Sequence, residues 1–148
     1  MRHFRRSTDK PGAASVFYYT AVTALFISSV VALKWQLEPD TAKVVFNETS
    51  FVSTPENRGF YVPVYFCHDK KTDITLERYY REINTRIIYA VPVGRYKTGD
   101  NHRFDAMVSA NTGRLEPGQY EYHVSVSYDL NPIRTIHKPV AVVRVTVG

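Results

Sequence analysis

From Gly12 to Leu33 the chain carries no charged side chain, and Ser15 to Leu33 (SVFYYTAVTALFISSVVAL) is almost wholly apolar. A helix rises about 1.5 Å per residue, so this run is just long enough to cross a hydrocarbon core of about 30 Å. A basic segment, MRHFRRSTDK, precedes it, and a sequence of soluble character follows. The pattern predicts a bitopic protein. Residues 1–14 are a basic cytoplasmic tail, 15–33 a transmembrane signal-anchor helix, 34–42 a linker and 43–148 an exported domain.

Orientation follows from the distribution of Lys and Arg. Arg2, Arg5 and Arg6 precede the span, whereas Lys34 and Lys43 after it are accompanied by Glu38, Asp40 and Glu48. The positive-inside rule keeps the N-terminus in the cytoplasm and puts the C-terminal domain in the periplasm or outside the cell. A cleaved signal peptide is the rival reading, with Val30-Val31-Ala32 supplying small residues before a cut after Ala32. Against cleavage, the apolar run exceeds the usual h-region, and Tyr18, Tyr19 and Trp35 suit the two interfaces of a spanning helix. Both readings export the domain.

The formal charge of +5 does not describe that domain. Arg2, Arg5, Arg6 and Lys10 against Asp9 give the first fourteen residues +3, leaving +2 from Lys34 onward. A nucleic-acid surface needs a basic stripe on the folded part, and no such run exists there. Cys67 is the only cysteine, so no internal disulfide can form, and a small buried hydrophobe is its simplest role. Asn47-Glu48-Thr49 matches the glycosylation sequon, a triplet frequent by chance.

Beyond the linker the pattern is mostly strand. Val44 to Phe46 and Phe51-Val52 are short apolar pieces around a polar turn. Phe60 to Cys67 and Ile87 to Val93 are apolar on both faces, with Pro63 and Pro92 pointing to an edge or a bulge. Phe104, Ala106, Val108 and Ala110 alternate with polar or small partners. Tyr120, Tyr122, Val124, Val126 and Tyr128 face one way, and Glu121, His123, Ser125, Ser127 and Asp129 the other. Val140 to Val147 closes the series. One segment breaks it. In Asp73 to Asn84, Leu76, Tyr79, Tyr80 and Ile83 fall at helical spacing, and Asp73 can cap them. This predicts a short helix inserted between two strands of a sandwich.

Leu115-Glu-Pro-Gly-Gln-Tyr120 leads into the alternating strand. It resembles the turn into the penultimate strand of immunoglobulin-like and fibronectin-type sandwiches. The resemblance implies that Pro117-Gly118 makes the turn and that Tyr120 packs at the corner, its hydroxyl bonded to nearby backbone. It also implies that Val140 to Val147 is the last strand. Tyr122 stands where antibody-type domains have their second disulfide cysteine, and the only tryptophan, Trp35, adjoins the membrane span. The expected fold is therefore an all-β Ig-like sandwich with one inserted helix, behind a single transmembrane helix. Such a fold hosts many tasks and names none.

Chemistry is hard to find. His3, His68, His102, His123 and His137 are scattered without metal-ligand spacing. Cys67 and His68 are strand neighbours and point to opposite faces, so they cannot form a dyad without a bend. No phosphate-binding or nucleophile-elbow motif occurs. The expectation is a protein that is not an enzyme, with no cofactor and no metal. The aromatic residues carry the remaining signal. Tyr79-Tyr80-Arg81 and Arg95-Tyr96-Lys97 read as exposed aromatic–basic groups and candidate contact residues. Thr20, Ala24, Ser28 and Ala32 form a small-residue stripe that allows close approach of a second copy. The preferred reading is a membrane-anchored extracytoplasmic module binding a protein partner, such as a phage or envelope accessory protein. A carbohydrate or cell-wall binding module is the alternative, and a small anchored enzyme the third.

Overall fold

The computed structural model describes residues 12–148, so the basic segment that sets the predicted orientation lies outside the described residues. The chain divides into two compact units, with the boundary between Glu38 and Pro39.

The first unit contains α1 (Ala13–Leu37), a helix of 25 residues with no buried side chain. By length and composition it can cross a membrane. It outruns the predicted span by one turn, through Lys34, Trp35, Gln36 and Leu37. Helical geometry stops at Glu38, which is extended at φ −60° and ψ 123°. Pro39 is the cause, because a residue before proline is driven out of the helical region. Inside α1 the hydroxyls of Thr20, Thr23, Ser28 and Ser29 donate to carbonyls four residues back. Two members of the small-residue stripe, Thr20 and Ser28, thus satisfy their polar groups within their own helix.

The second unit is built from eight strands: β1 (Lys43–Val44), β2 (Asn47–Ser53), β3 (Gly59–Cys67), β4 (Asp73–Glu82), β5 (Ile88–Lys97), β6 (Arg103–Asn111), β7 (Gly118–Asn131) and β8 (Arg134–Val147). They form a three-stranded sheet, β1-β3-β6, and a five-stranded sheet, β2-β8-β7-β4-β5. All pairings are antiparallel except β2 with β8, which runs parallel from Asn47 opposite Ala141 to Ser53 opposite Val147. The core lies between the sheets. Val62, Val64 and Phe66 of β3 join Ile74 and Leu76 of β4 and the inward residues of β7 and β8. Full burial of one such aliphatic side chain contributes about 1.5–3 kcal/mol.

Two expectations fail. The inserted helix over Asp73 to Asn84 is the strand β4, followed by a turn. Ile74, Leu76 and Tyr80 are buried on one face and Tyr79 lies on the other, so among Leu76, Tyr79 and Tyr80 only the spacing of Leu76 and Tyr80 also fits a strand face. The deciding factor is position. β4 bonds β5 on one side and β7 on the other, and a central site favours Ile, Thr and Tyr as strand formers. The linker is also shorter than predicted. Lys34 to Leu37 belong to α1, and Asp40 and Ala42 belong to the domain. Asp40 accepts hydrogen bonds from the Tyr128 hydroxyl, from Lys138 Nζ at 2.6 Å and from the Ala42 amide at 3.0 Å. Lys138 Nζ also donates to the Ala42 carbonyl at 2.6 Å.

The prolines are placed where a missing N–H costs least. Pro63 lies on a stretch of β3 that pairs only with β6, because β1 reaches no further than Phe66 and Cys67. Pro92 lies on β5, the edge of its sheet.

Candidate functional site

The three-stranded sheet is two strands narrower than the five-stranded one. At about 4.8 Å per strand, roughly 10 Å of the wider sheet's inner face lacks a covering strand. Part of that deficit falls beside β5, where a cleft of about 1030 Å3 opens between β5 and β6.

Pairing register dictates what lines it. Tyr89 and Val91 of β5 stand opposite Tyr80 and Arg78 of β4 and share their inward face. Tyr80 and Tyr122 form the floor, Phe60 and Ala110 contribute the opposite wall, and Leu115 and Arg114 lie at one end. Beyond the other end the ring of Tyr96 meets Phe104 at 5.0 Å and draws the sheets together. Gly94 makes this possible, since a Cβ there would stand 2.6 Å from the Tyr96 ring. Tyr61, at the cleft, is 68% exposed, and Ile87 before β5, Ile88 and Val93 on β5 and Met107 on β6 are each half exposed or more outside its lining.

Polar groups inside the cleft are few. The Tyr80 hydroxyl donates to the Asn111 carbonyl at 3.1 Å. Burial, then the neighbouring Tyr122, pushes the Tyr80 phenol far above its ordinary value. Burial likewise raises the Tyr122 phenol, with Arg78 acting in the opposite direction. Arg78 Nη2 donates to the Pro92 carbonyl at 2.7 Å. Arg78 Nε and the Tyr122 hydroxyl are both buried, and the two side chains interact. Among the residues lining the cleft Arg114 is the one charged side chain.

The six residues predicted as contacts separate. Tyr80 is not exposed as expected: at 4% it belongs to the core, where its ring floors the cleft. Tyr79 and Arg81 are half-buried on the outer face of the five-stranded sheet, in a cross-strand network. Arg81 pairs with Glu121 directly opposite, His123 Nε2 lies 3.2 Å from Glu121, and Tyr79 stacks on His123 at 4.8 Å. The hydrogen bond from Arg81 holds the Glu121 carboxyl below the usual range, against the opposing effect of burial. Arg95 is exposed, Tyr96 is 41% exposed, and Lys97 Nζ lies 3.8 Å from Asp73. The cleft itself was missed, because sheet width is not written in any local pattern.

Elsewhere, His68 is buried beside the rings of Phe66 and Tyr128, which also touch each other, while Cys67 at the end of β3 is half-buried. Among the described residues no three His, Cys, Asp or Glu side chains converge on a common point. The Tyr120 hydroxyl donates to the Glu116 carbonyl at 2.9 Å, the bond implied for a corner tyrosine.

No protein-family model and no curated protein matches the chain. Among solved structures it is similar to the CooA pilin subunit from enterotoxigenic Escherichia coli, at 11% identity and a TM-score of 0.43, over 74% of this chain and 99% of that one.

Proposed function

We propose that the chain is a membrane-anchored extracytoplasmic interaction module, not an enzyme, and that it binds a protein partner at the cleft between β5 and β6. The observation that carries this reading is the apolar lining of the open cleft. Phe60, Val91, Pro92, Ala110 and Leu115 line it together with Tyr61 and Tyr89, and an accessible apolar surface of this kind marks an interaction site. Of the five rings that line it, Phe60, Tyr80 and Tyr122 are buried in the core, which leaves Tyr61 and Tyr89 as its accessible aromatic faces. Arg95 and Lys97, on the stretch of β5 beyond the cleft, extend the surface with positive charge. An Ig-like reading of the domain is supported by the Tyr120 bond and by β1 and β2, which divide the first edge between the two sheets. The size and layout suit a phage or envelope accessory protein.

The test is site-specific photo-crosslinking in the native membrane. Probes at Tyr61 and Met107 should capture a protein, and a probe at His137, on β8 away from the cleft, should not. Equal capture at all three sites, or none at the first two, removes the reading.

A further inference from the structure

The cleft has two free strand edges, and they are not equivalent. β5 is blunted. Pro92 has no N–H, its carbonyl already accepts from Arg78, and the register against β4 shifts between Leu76 and Arg78. Prolines and bulges of this kind discourage strand addition. β6 carries neither device. It pairs with β3 through nine consecutive positions, from Gly59 opposite Asn111 to Cys67 opposite Arg103, without a shift.

Backbone parity shows which groups β6 leaves open. The Thr112 amide donates to the Arg58 carbonyl on the β3 side, and the Asn111 carbonyl faces Tyr80 on the other. Alternation along an antiparallel strand then turns the amides and carbonyls of Asp105, Met107 and Ser109 toward the open side. A strand placed there would lie over Tyr89 and Val91, the inner-face residues that the narrower sheet leaves uncovered.

The cleft also has a charge preference. Its lining includes the cation Arg114 and no carboxylate. Beneath it, the Arg78 guanidinium acts on the Tyr122 hydroxyl and donates to the Pro92 carbonyl, a second cation against the cleft floor. Both charges at the cleft are positive.

We infer that the partner enters as an extended segment, adding a fourth strand at the free edge of β6. Its alternate apolar side chains fill the cleft, and a carboxylate at one end meets Arg114. This is strand addition, with main-chain bonds supplying affinity and the pockets supplying choice. It rests on the protein-binding reading of the same cleft.

The test is panning of a random nonapeptide display library on the full chain in detergent micelles, then binding of the winning synthetic peptide. Winners should alternate apolar and polar residues and carry Asp or Glu near one end. Arg114→Glu should weaken the winner about tenfold, and Arg144→Glu, remote on β8, should leave it unchanged. N-methylation of alternate peptide nitrogens, which blocks strand pairing without touching the protein, should abolish binding, as should Ser109→Pro. The inference is overturned by a library without winners, by winners that lack a carboxylate or tolerate N-methylation, or by a Met107 photo-crosslink joining two copies of this chain. If it fails while the native-membrane probes at Tyr61 and Met107 still capture a protein, the cleft reading stands alone. If those probes capture nothing, both fall.

Discussion

Tyr80 and Asn111 are bonded across the open side of the sandwich: the phenol of a buried β4 residue donates to the last carbonyl of β6 at 3.1 Å. Tyr80→Phe keeps the ring and strands that carbonyl. The expected cost is about 1 kcal/mol, the net worth of a typical intramolecular hydrogen bond. Urea denaturation of the two proteins measures it, and identical midpoints would show that the bond contributes nothing.

Tyr120 offers a graded series. Tyr120→Phe removes its bond to Glu116 and should cost about 1 kcal/mol. Tyr120→Ala adds a cavity beneath a ring that is 1% exposed, and should cost about 3 kcal/mol or more. Tyr96→Ala loses a partly exposed ring and should cost about 1 kcal/mol or less. The ordering is the test, and equal midpoints for the two alanine variants would remove Tyr120 from the corner.

Acid should loosen the start of the domain. Burial pushes the Asp40 carboxyl up, but Lys138, Tyr128 and the Ala42 amide outweigh it and hold it below its ordinary value. A folded value below the unfolded one, about 3.9, gives stability that is complete above the unfolded value and disappears as pH falls through the folded value. Asp40→Asn should therefore be destabilising near pH 7, and its cost should shrink as pH falls below the unfolded value toward the folded one. A difference that does not shrink at all on acidification would exclude the carboxylate as the source.

Topology is open to direct measurement. The basic residues before α1 predict a C-terminus outside the cytoplasm. A C-terminal fusion to alkaline phosphatase should be active and one to a cytoplasm-dependent fluorescent protein dark. The reverse pattern reverses the orientation. A mature protein beginning at Leu33 would replace the anchor with a cleaved signal.

Long-period features were legible in the sequence. The uncharged run became α1, and the alternation from Tyr120 to Tyr128 became the central strand β7. Asp73 to Asn84 was misread because Leu76 and Tyr80 are four apart, a spacing shared by a helix face and a strand face. Only the neighbours of β4 on both sides distinguish the two, and those neighbours are distant in sequence. The same holds for the contact residues. Tyr79-Tyr80-Arg81 reads as one exposed group, yet a strand sends Tyr80 into the core and leaves Tyr79 and Arg81 outside. The cleft depends on how many strands each sheet acquires, a global count that local chemistry does not encode.

The parallel pairing of β2 with β8 has a mechanical consequence for a tethered domain. Seven successive residue pairs, Asn47 with Ala141 through Ser53 with Val147, join the second strand of the domain to its last. Tension applied between Pro39 and the end of β8 pulls these strands along their lengths in opposite directions. Their hydrogen bonds then resist in shear, all sharing the load, where a hairpin pulled from its open end would peel one bond at a time. A domain held by its N-terminal side and gripped elsewhere by a partner would in this way resist unravelling from the end at which it is anchored.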